Sequence, residues 1–243
     1  MFMYENKLYK RDKEDKIFHY MQNRLYTELI RDVDIFDHKK KILDVGCGIG
    51  GLIPYTGGME YYGIDISKPN IKEIKKIWPN EIVKVKRGDI REKLPYETDT
   101  FDVVICTEVL EHLLLPDMRK LLKEIRRVTK RGGKIIISVP NIKYIWGFMP
   151  WSLYPFKRRF KFNKRKYDVI TENYDFYHVR YNPEWFKGIV ELYLNIEEME
   201  TTFWYNNRAI HGIFKWLQLQ IHKFSWRGNL GVGNNIIMRC KKL

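Results

Sequence analysis

The sequence predicts an α/β fold of the doubly wound kind: a mostly parallel seven-stranded sheet with helices on both faces and an inserted substrate cap. Three observations carry this. Short apolar runs alternate with helical stretches from Lys41 to Val139, the order that builds a parallel sheet through right-handed crossovers. The first run, Lys41-Ile-Leu-Asp-Val45, opens directly onto Gly-Cys-Gly-Ile-Gly-Gly51, with glycines spaced to let a loop pass under a ligand. Later runs end on Asp65, Asp89 and Thr107-Glu108, at the carboxyl ends where such Rossmann-like sheets bind ligands.

In chain order, Asp12 to Val33 repeats Ile17, Met21, Leu25 and Leu29 every four residues and reads as a helix within an N-terminal extension, residues 1–40. After the first strand the next helix must be short, because Pro54 and Gly57-Gly58 interrupt it. Tyr61 to Ile66 is the second strand, and Ser67 caps a helix that tolerates Pro69 in its first turn and reaches about Trp78. Ile82 to Gly88 and Phe101 to Cys106 are the third and fourth strands. Asp117 to Lys130 is an amphipathic helix stopped by Gly132-Gly133, and Lys134 to Val139 is the fifth strand. Asn182-Pro183 opens a helix to about Leu194, Asn195 to Tyr205 reads as a strand, Arg208 to Phe224 as an amphipathic helix, and Asn234 to Lys241 as the last strand. The main domain therefore spans 41–243, with cap insertions at about 142–181 and 206–233.

Composition narrows the partners. The 243 residues carry a formal net charge of +14 with 44% hydrophobic and 30% charged residues, so the chain is globular and biased towards anions. Nucleic acid, anionic head groups and acidic substrates all fit that bias. Asn141 to Tyr167 holds eight Lys or Arg, no acidic residue, and Trp146, Trp151, Phe156, Phe160 and Phe162; such a stretch can stack on bases or enter a head-group layer. Cys47, Cys106 and Cys240 are too few and scattered for a disulfide scaffold. Met1 to Lys16 has no apolar core of a leader, and no run approaches the ~18 apolar residues of a membrane span. A cytoplasmic protein is expected, with peripheral membrane contact as an alternative.

Gly46, Gly48 and Gly51 satisfy G-x-G-x-x-G, which suits NAD as well as other adenosine ligands. Asp44 discriminates. A carboxylate two residues before the first glycine repels a pyrophosphate but attracts a ligand with an ammonium and a sulfonium, which favours S-adenosylmethionine. Asp65, 19 residues after Gly46, stands where an acidic side chain accepts both ribose hydroxyls. Asp89 is placed for the adenine amino group, with Ile90 against the ring. Cys47, Gly50, Ile66 and Thr107 complete the expected cofactor set.

These residues resemble the class I S-adenosylmethionine-dependent methyltransferases. ILDVGCGIGG is similar to their first motif, GIDIS to the second, GDI to the adenine-side motif, FDVVICTEVLEHL to the fourth-strand segment and RRVTKRGGKIIISVPN to the helix and fifth strand. The match covers 41–141, and EVLEHL resembles the subgroup that includes ubiquinone-biosynthesis-like O-methyltransferases. The resemblance implies that Asp44, Gly46 and Gly48 hold the methionine end, Asp65 the ribose and Asp89 the adenine. The segment between Gly50 and Asp65 is shorter than usual in the family.

Methyl transfer to a hydroxyl or a protonated amine needs a base, and His112 and His178 are the candidates. Glu108, Glu111 and His112, at i, i+3 and i+4, are expected on one helix face, where with His178 they could hold a divalent metal. That set resembles the metal site of small-RNA 3′-end 2′-O-methyltransferases. The sequence thus supports methyl transfer to an oxygen or nitrogen of a small, sugar- or lipid-linked acceptor. An RNA ribose 2′-O-methyltransferase and a non-catalytic binding protein that keeps the cofactor fold are the alternatives.

Overall fold

The computed structural model describes residues 26–27, 29–30, 33–35, 37–141, 181–202 and 235–242. Their strands are β1 (Lys41–Val45), β2 (Glu60–Asp65), β3 (Val83–Arg87), β4 (Phe101–Thr107), β5 (Thr129–Pro140), β6 (Asn195–Thr202) and β7 (Asn235–Lys241). They form one sheet in the order β3-β2-β1-β4-β5-β7-β6. Strands β1 to β5 pair in parallel, and β7 runs antiparallel between β5 and β6. The predicted fold class is therefore observed. The order reverses between β1 and β4, and at that switch point the carboxyl ends splay into a crevice.

Two cores explain why the central strands are apolar on both faces. Leu43 and Val45 of β1 join Val104, Ile135 and Ile137 in one cluster, while Ile42 joins Val103, Ile105 and Ile136 in the other. Alternation along a strand sends successive side chains to opposite faces. Phe101 and Val103 break this parity and fall in different clusters, because the β4–β5 register shifts between them. The shift absorbs residues 130–133: Thr129 pairs with Phe101, and the next β5 partner, Lys134, pairs with Val103.

Helix α1 (Lys68–Ile77) buries Ile71, Ile74 and Ile77, and Ser67 caps it by accepting a hydrogen bond from Asn70 N at 3.3 Å, as the sequence predicts. Helix α2 (Leu115–Val128) buries Met118, Leu121, Leu122, Ile125 and Val128, a stripe at helical spacing. Helix α3 (Pro183–Val190) starts at Asn182, whose side chain accepts from Glu184 N and Trp185 N. The only turn between β1 and β2 with helical character is the 3-10 turn Ile53–Tyr55, so the shortened first crossover is as expected.

Two boundaries differ from expectation. Helix α2 ends at Val128, ahead of Gly132-Gly133, because Thr129 already pairs with Phe101; the glycines sit inside β5, not at a helix stop. Helix α3 ends at Val190, short of Leu194, where Tyr193 N and Leu194 N both turn back onto Val190 O. Strand β6 is described only to Thr202. Most of the expected N-terminal helix, the basic-aromatic stretch and the Arg208-to-Phe224 helix lie outside the described residues. Leu29, Ile30 and Val33 of the extension are buried against the α1 side of the sheet.

No helix among the described residues is long and apolar enough to cross a membrane. Burial on α2 makes a stability prediction. Leu121, fully buried, is expected to lower the unfolding free energy by about 2–5 kcal/mol as Leu121→Ala. Exposed Lys120 on the same helix should cost under about 0.5 kcal/mol as Lys120→Ala, compared by urea denaturation.

Candidate active site

The glycine loop after β1 hangs from the neighbouring strand. Gly46 N and Cys47 N both donate to Ile64 O, at 2.8 and 3.1 Å. Gly48 N donates to Asp65 Oδ2 at 2.9 Å, while Asp65 Oδ1 accepts from Ser67 N at 2.8 Å. Asp65 therefore braces the loop and the entrance to α1 at once. Sequence reasoning placed Asp65 correctly at the end of β2 but gave it only a ribose to hold.

Two glycines have different reasons. Gly46 has φ +76°, and a Cβ there would meet Val109 Cγ2 at 2.3 Å, so no side chain fits. Gly48 has φ +53°, yet among the described residues nothing lies within 4 Å of its missing Cβ. The loop is packed tight at its root and open at its tip, as a cradle needs to be.

Asp44, the last-but-one residue of β1, is only 5% exposed. Its Oδ2 accepts a 2.8 Å hydrogen bond from Tyr61 Oη, and no cation pairs with it among the described residues. Burial pushes its carboxyl up to about 7; the Tyr61 hydroxyl opposes that and the Asp65 charge adds to it. Tyr61 reaches Asp44 because Gly63, the residue paired with Asp44, has no side chain in the way. A Cβ on Gly63 would stand 2.9 Å from Cys47 Sγ and 3.1 Å from Tyr61 Cε1. Cys47 is buried beside this pair, and burial with the Asp44 charge holds its thiol well above the usual range.

Asp89, expected to face the adenine, follows β3 but is already engaged. Arg91 donates to it through its backbone N at 2.9 Å and through its guanidinium, which lowers the carboxyl. An adenine amino group would share Asp89 with this arginine. Ile90 packs partly buried against the main core, and Ile66 follows β2 with its carbonyl accepting from Arg87 Nε at 3.1 Å. Gly50 packs at the base of the loop, where its Cβ would meet Ile53 Cδ1 at 2.6 Å.

The β4 end departs from expectation. Thr107 ends the strand opposite Ser138 of β5. Glu108 has a positive φ of +55°, rare for a side-chain-bearing residue. Its Oε1 accepts from Ser138 Oγ at 2.8 Å and Asn235 Nδ2 at 2.6 Å. A 3-10 turn, Leu110–His112, follows, and α2 begins only at Leu115. The expected helix face of Glu108, Glu111 and His112 therefore does not form: the left-handed residue turns Glu108 away onto β5 and β7. Among the described residues no group of three or more His, Cys, Asp or Glu could hold a metal ion. His178 lies outside the described residues.

Glu111 is 1% exposed, and neither of its oxygens has a hydrogen-bond partner among the described residues. Burial, then the Glu108 charge, pushes its carboxyl well above the usual carboxylate range. His112 Nε2 lies 3.7 Å from Glu111 Oε1. Tyr181 buttresses this turn by donating from Oη to Leu110 O at 3.3 Å, and Trp185 stacks on it at 5.4 Å. Tyr61, Arg91, Ser138, Tyr181 and Asn235 were not picked out from sequence. Only Tyr61 had a signal there, its place two residues before a strand glycine that marks close approach.

Residues 43–137 match a family described as a methyltransferase domain. That span holds every cofactor residue expected from the sequence. The chain is 32% identical over 131 residues to an uncharacterised protein of Methanocaldococcus jannaschii, covering 51% of this chain and 52% of that protein. It is 33% identical to norajmaline N-methyltransferase of Rauvolfia serpentina (47% and 42% covered) and 29% identical to a ubiquinone biosynthesis O-methyltransferase of Pseudomonas syringae (49% and 57%). The chain thus spans about half the length of the curated relatives it matches. The ubiquinone enzyme is no nearer than the others, so the narrower subgroup is not singled out. The fold matches a Haloferax volcanii methyltransferase solved with the Trm112 methyltransferase activator, at TM-score 0.65 and 16% identity, covering 96% of this chain and 92% of that one.

The two loop glycines should separate fold from binding. Gly46→Ala is expected to destabilise the protein strongly, since both φ and Val109 oppose it. Gly48→Ala should cost only the ~1–2 kcal/mol of a left-handed alanine while projecting a methyl into the cradle. Thermal melts of the two variants alongside ligand binding check this: Gly48→Ala should lose more affinity than stability.

Proposed function

We propose that this chain transfers a methyl group from S-adenosylmethionine to an oxygen or nitrogen of a small acceptor, sugar- or lipid-linked molecules included, in the cytoplasm. One observation carries the reading. Asp44 is a buried carboxyl with no cation against it among the described residues, at the root of the glycine cradle and beside the switch point. A burial this costly is explained by a cationic ligand that supplies the missing charge. A pyrophosphate would not supply it.

In this reading Asp44 and the Gly46–Gly48 backbone take the methionine end, Asp65 takes the ribose while it keeps the loop in place, and Asp89 with Ile90 lines the adenine side. The cofactor supplies a methyl group on a good leaving group. The protein aligns the acceptor with that methyl carbon and excludes water. His112, 30% exposed at the edge of β4, accepts the proton of a hydroxyl or ammonium acceptor, and His178 is the second candidate for that role. The relatives act on nitrogen in one case and oxygen in another, in keeping with an acceptor chosen outside the matched span. RNA is less favoured, because its metal-binding helix face is not formed and net charge alone remains to support it.

Calorimetric titration with S-adenosylmethionine and S-adenosylhomocysteine tests the proposal. Asp65→Ala removes acceptors for two backbone N–H groups and the expected ribose contacts. With charge-assisted hydrogen bonds worth about 1.5–3 kcal/mol, affinity should fall about 10- to 100-fold. Absence of binding in the wild type would leave the non-catalytic binding protein as the better reading.

A further inference from the structure

The pairing of Asp44 with Tyr61 has consequences beyond holding a ligand. Both side chains are buried, and the phenol donates at 2.8 Å to a carboxyl that has no basic partner among the described residues. The other titratable groups bearing on the pair are Asp65 at the end of β2, Cys47 in the glycine loop, Cys106 on β4 and Tyr26 from the N-terminal segment. Each is neutral or acidic. Among the described residues, only the Tyr61 hydroxyl favours the charged form of Asp44.

We propose that Tyr61 is a positioning residue for the cofactor's ammonium group, and that this ammonium, on entering, drives a proton off Asp44 into solvent. The proton balance is simple: the free protein carries Asp44 partly as the neutral acid, the complex carries it as carboxylate against the ligand's cation, and the difference leaves as a proton. Tyr61 keeps its own proton throughout and aims the carboxylate through Oδ2. The inference rests on the cofactor reading above and adds a residue and a pH dependence to it.

The sign follows from the raised carboxyl. With Asp44 titrating at about 7 in the free protein, about one-tenth is ionised at pH 6 and about half at pH 7, so affinity should rise about five-fold across that unit. This window lies below the ~7.7–8.0 at which an α-amino group titrates, so the ligand's own ammonium does not confuse the reading. In the free protein the same group works oppositely. Its folded value lies above the unfolded ~3.9, so its contribution to stability is complete below that value and is lost as pH rises through about 7.

The experiment is titration of the full chain with S-adenosylhomocysteine at pH 6 and pH 7, in buffers of different ionisation enthalpy. The slope of observed heat against buffer enthalpy counts protons. Wild type is expected to release close to one proton at pH 6 and about half a proton at pH 7. Tyr61→Phe removes the one hydrogen bond that lowers Asp44, a change of about one pKa unit. Release at pH 7 should then rise towards one proton, with affinity several-fold lower. A merely structural Tyr61 would weaken binding without changing the proton count. Asp44→Asn should abolish release, and its ligand-free melting temperature should lose the part of the wild type's decline that falls between about pH 4 and pH 7. Buffer-independent heat in the wild type would overturn this inference alone. Absence of binding at either pH would overturn the cofactor reading with it.

Discussion

The glycine loop is suspended from β2, and the rest of the site depends on that suspension. Two backbone donors reach Ile64 O and a third reaches Asp65, so the loop's position is set by a strand it does not follow. The arrangement needs the parallel β1–β2 pairing, with Val45 beside Ile64, and a short first crossover. It also needs Gly46, because the chain turns there through φ +76° against Val109. Lose any of these and the cradle loses its floor, whatever residues line it.

The site also carries an electrostatic cost. Asp44 and Glu111 are both carboxyls buried at the carboxyl edge, both pushed upwards, and among the described residues neither faces a basic residue at hydrogen-bonding distance. Elsewhere the described acids are handled conventionally: Asp102 takes Lys130, Glu124 takes Arg127, and Glu200 takes Arg239. The contrast sets these two acids apart on physical grounds, since an uncompensated buried carboxyl is costly unless a ligand completes it.

Much of this was legible in the sequence because it is local. Strand and glycine spacing, the cap at Ser67 and the carboxyl-end positions of Asp44, Asp65, Asp89 and Thr107 all follow from short-range patterns. What failed to show is long-range. The Glu108 clamp joins residues 30 and 127 positions away, Ser138 and Asn235, and its left-handed backbone dissolves the helix that i, i+3, i+4 spacing implied. Likewise Thr129 begins β5 without a break because pairing with Phe101 outweighs the helix-stopping glycines that follow. The Tyr61 contact lay between: the strand glycine hinted at a close approach, but only the register identifies its beneficiary.

Glu108 and Val109 join the two halves of the site. Glu108 ties the end of β4 to β5 and β7, and its strained backbone delivers Val109 into the space above Gly46. The turn that carries Glu111 and His112, which the proposed reading puts on the acceptor side, is thereby packed against the glycine loop proposed to hold the cofactor. In-line transfer needs its two reactants held in register within fractions of an ångström. A single valine seated in the gap left by a glycine makes the two positions mutually dependent, because close-packed groups cannot shift independently. Strain at Glu108 is therefore placed where it secures alignment, which accounts for its position at this turn and not in a surface loop.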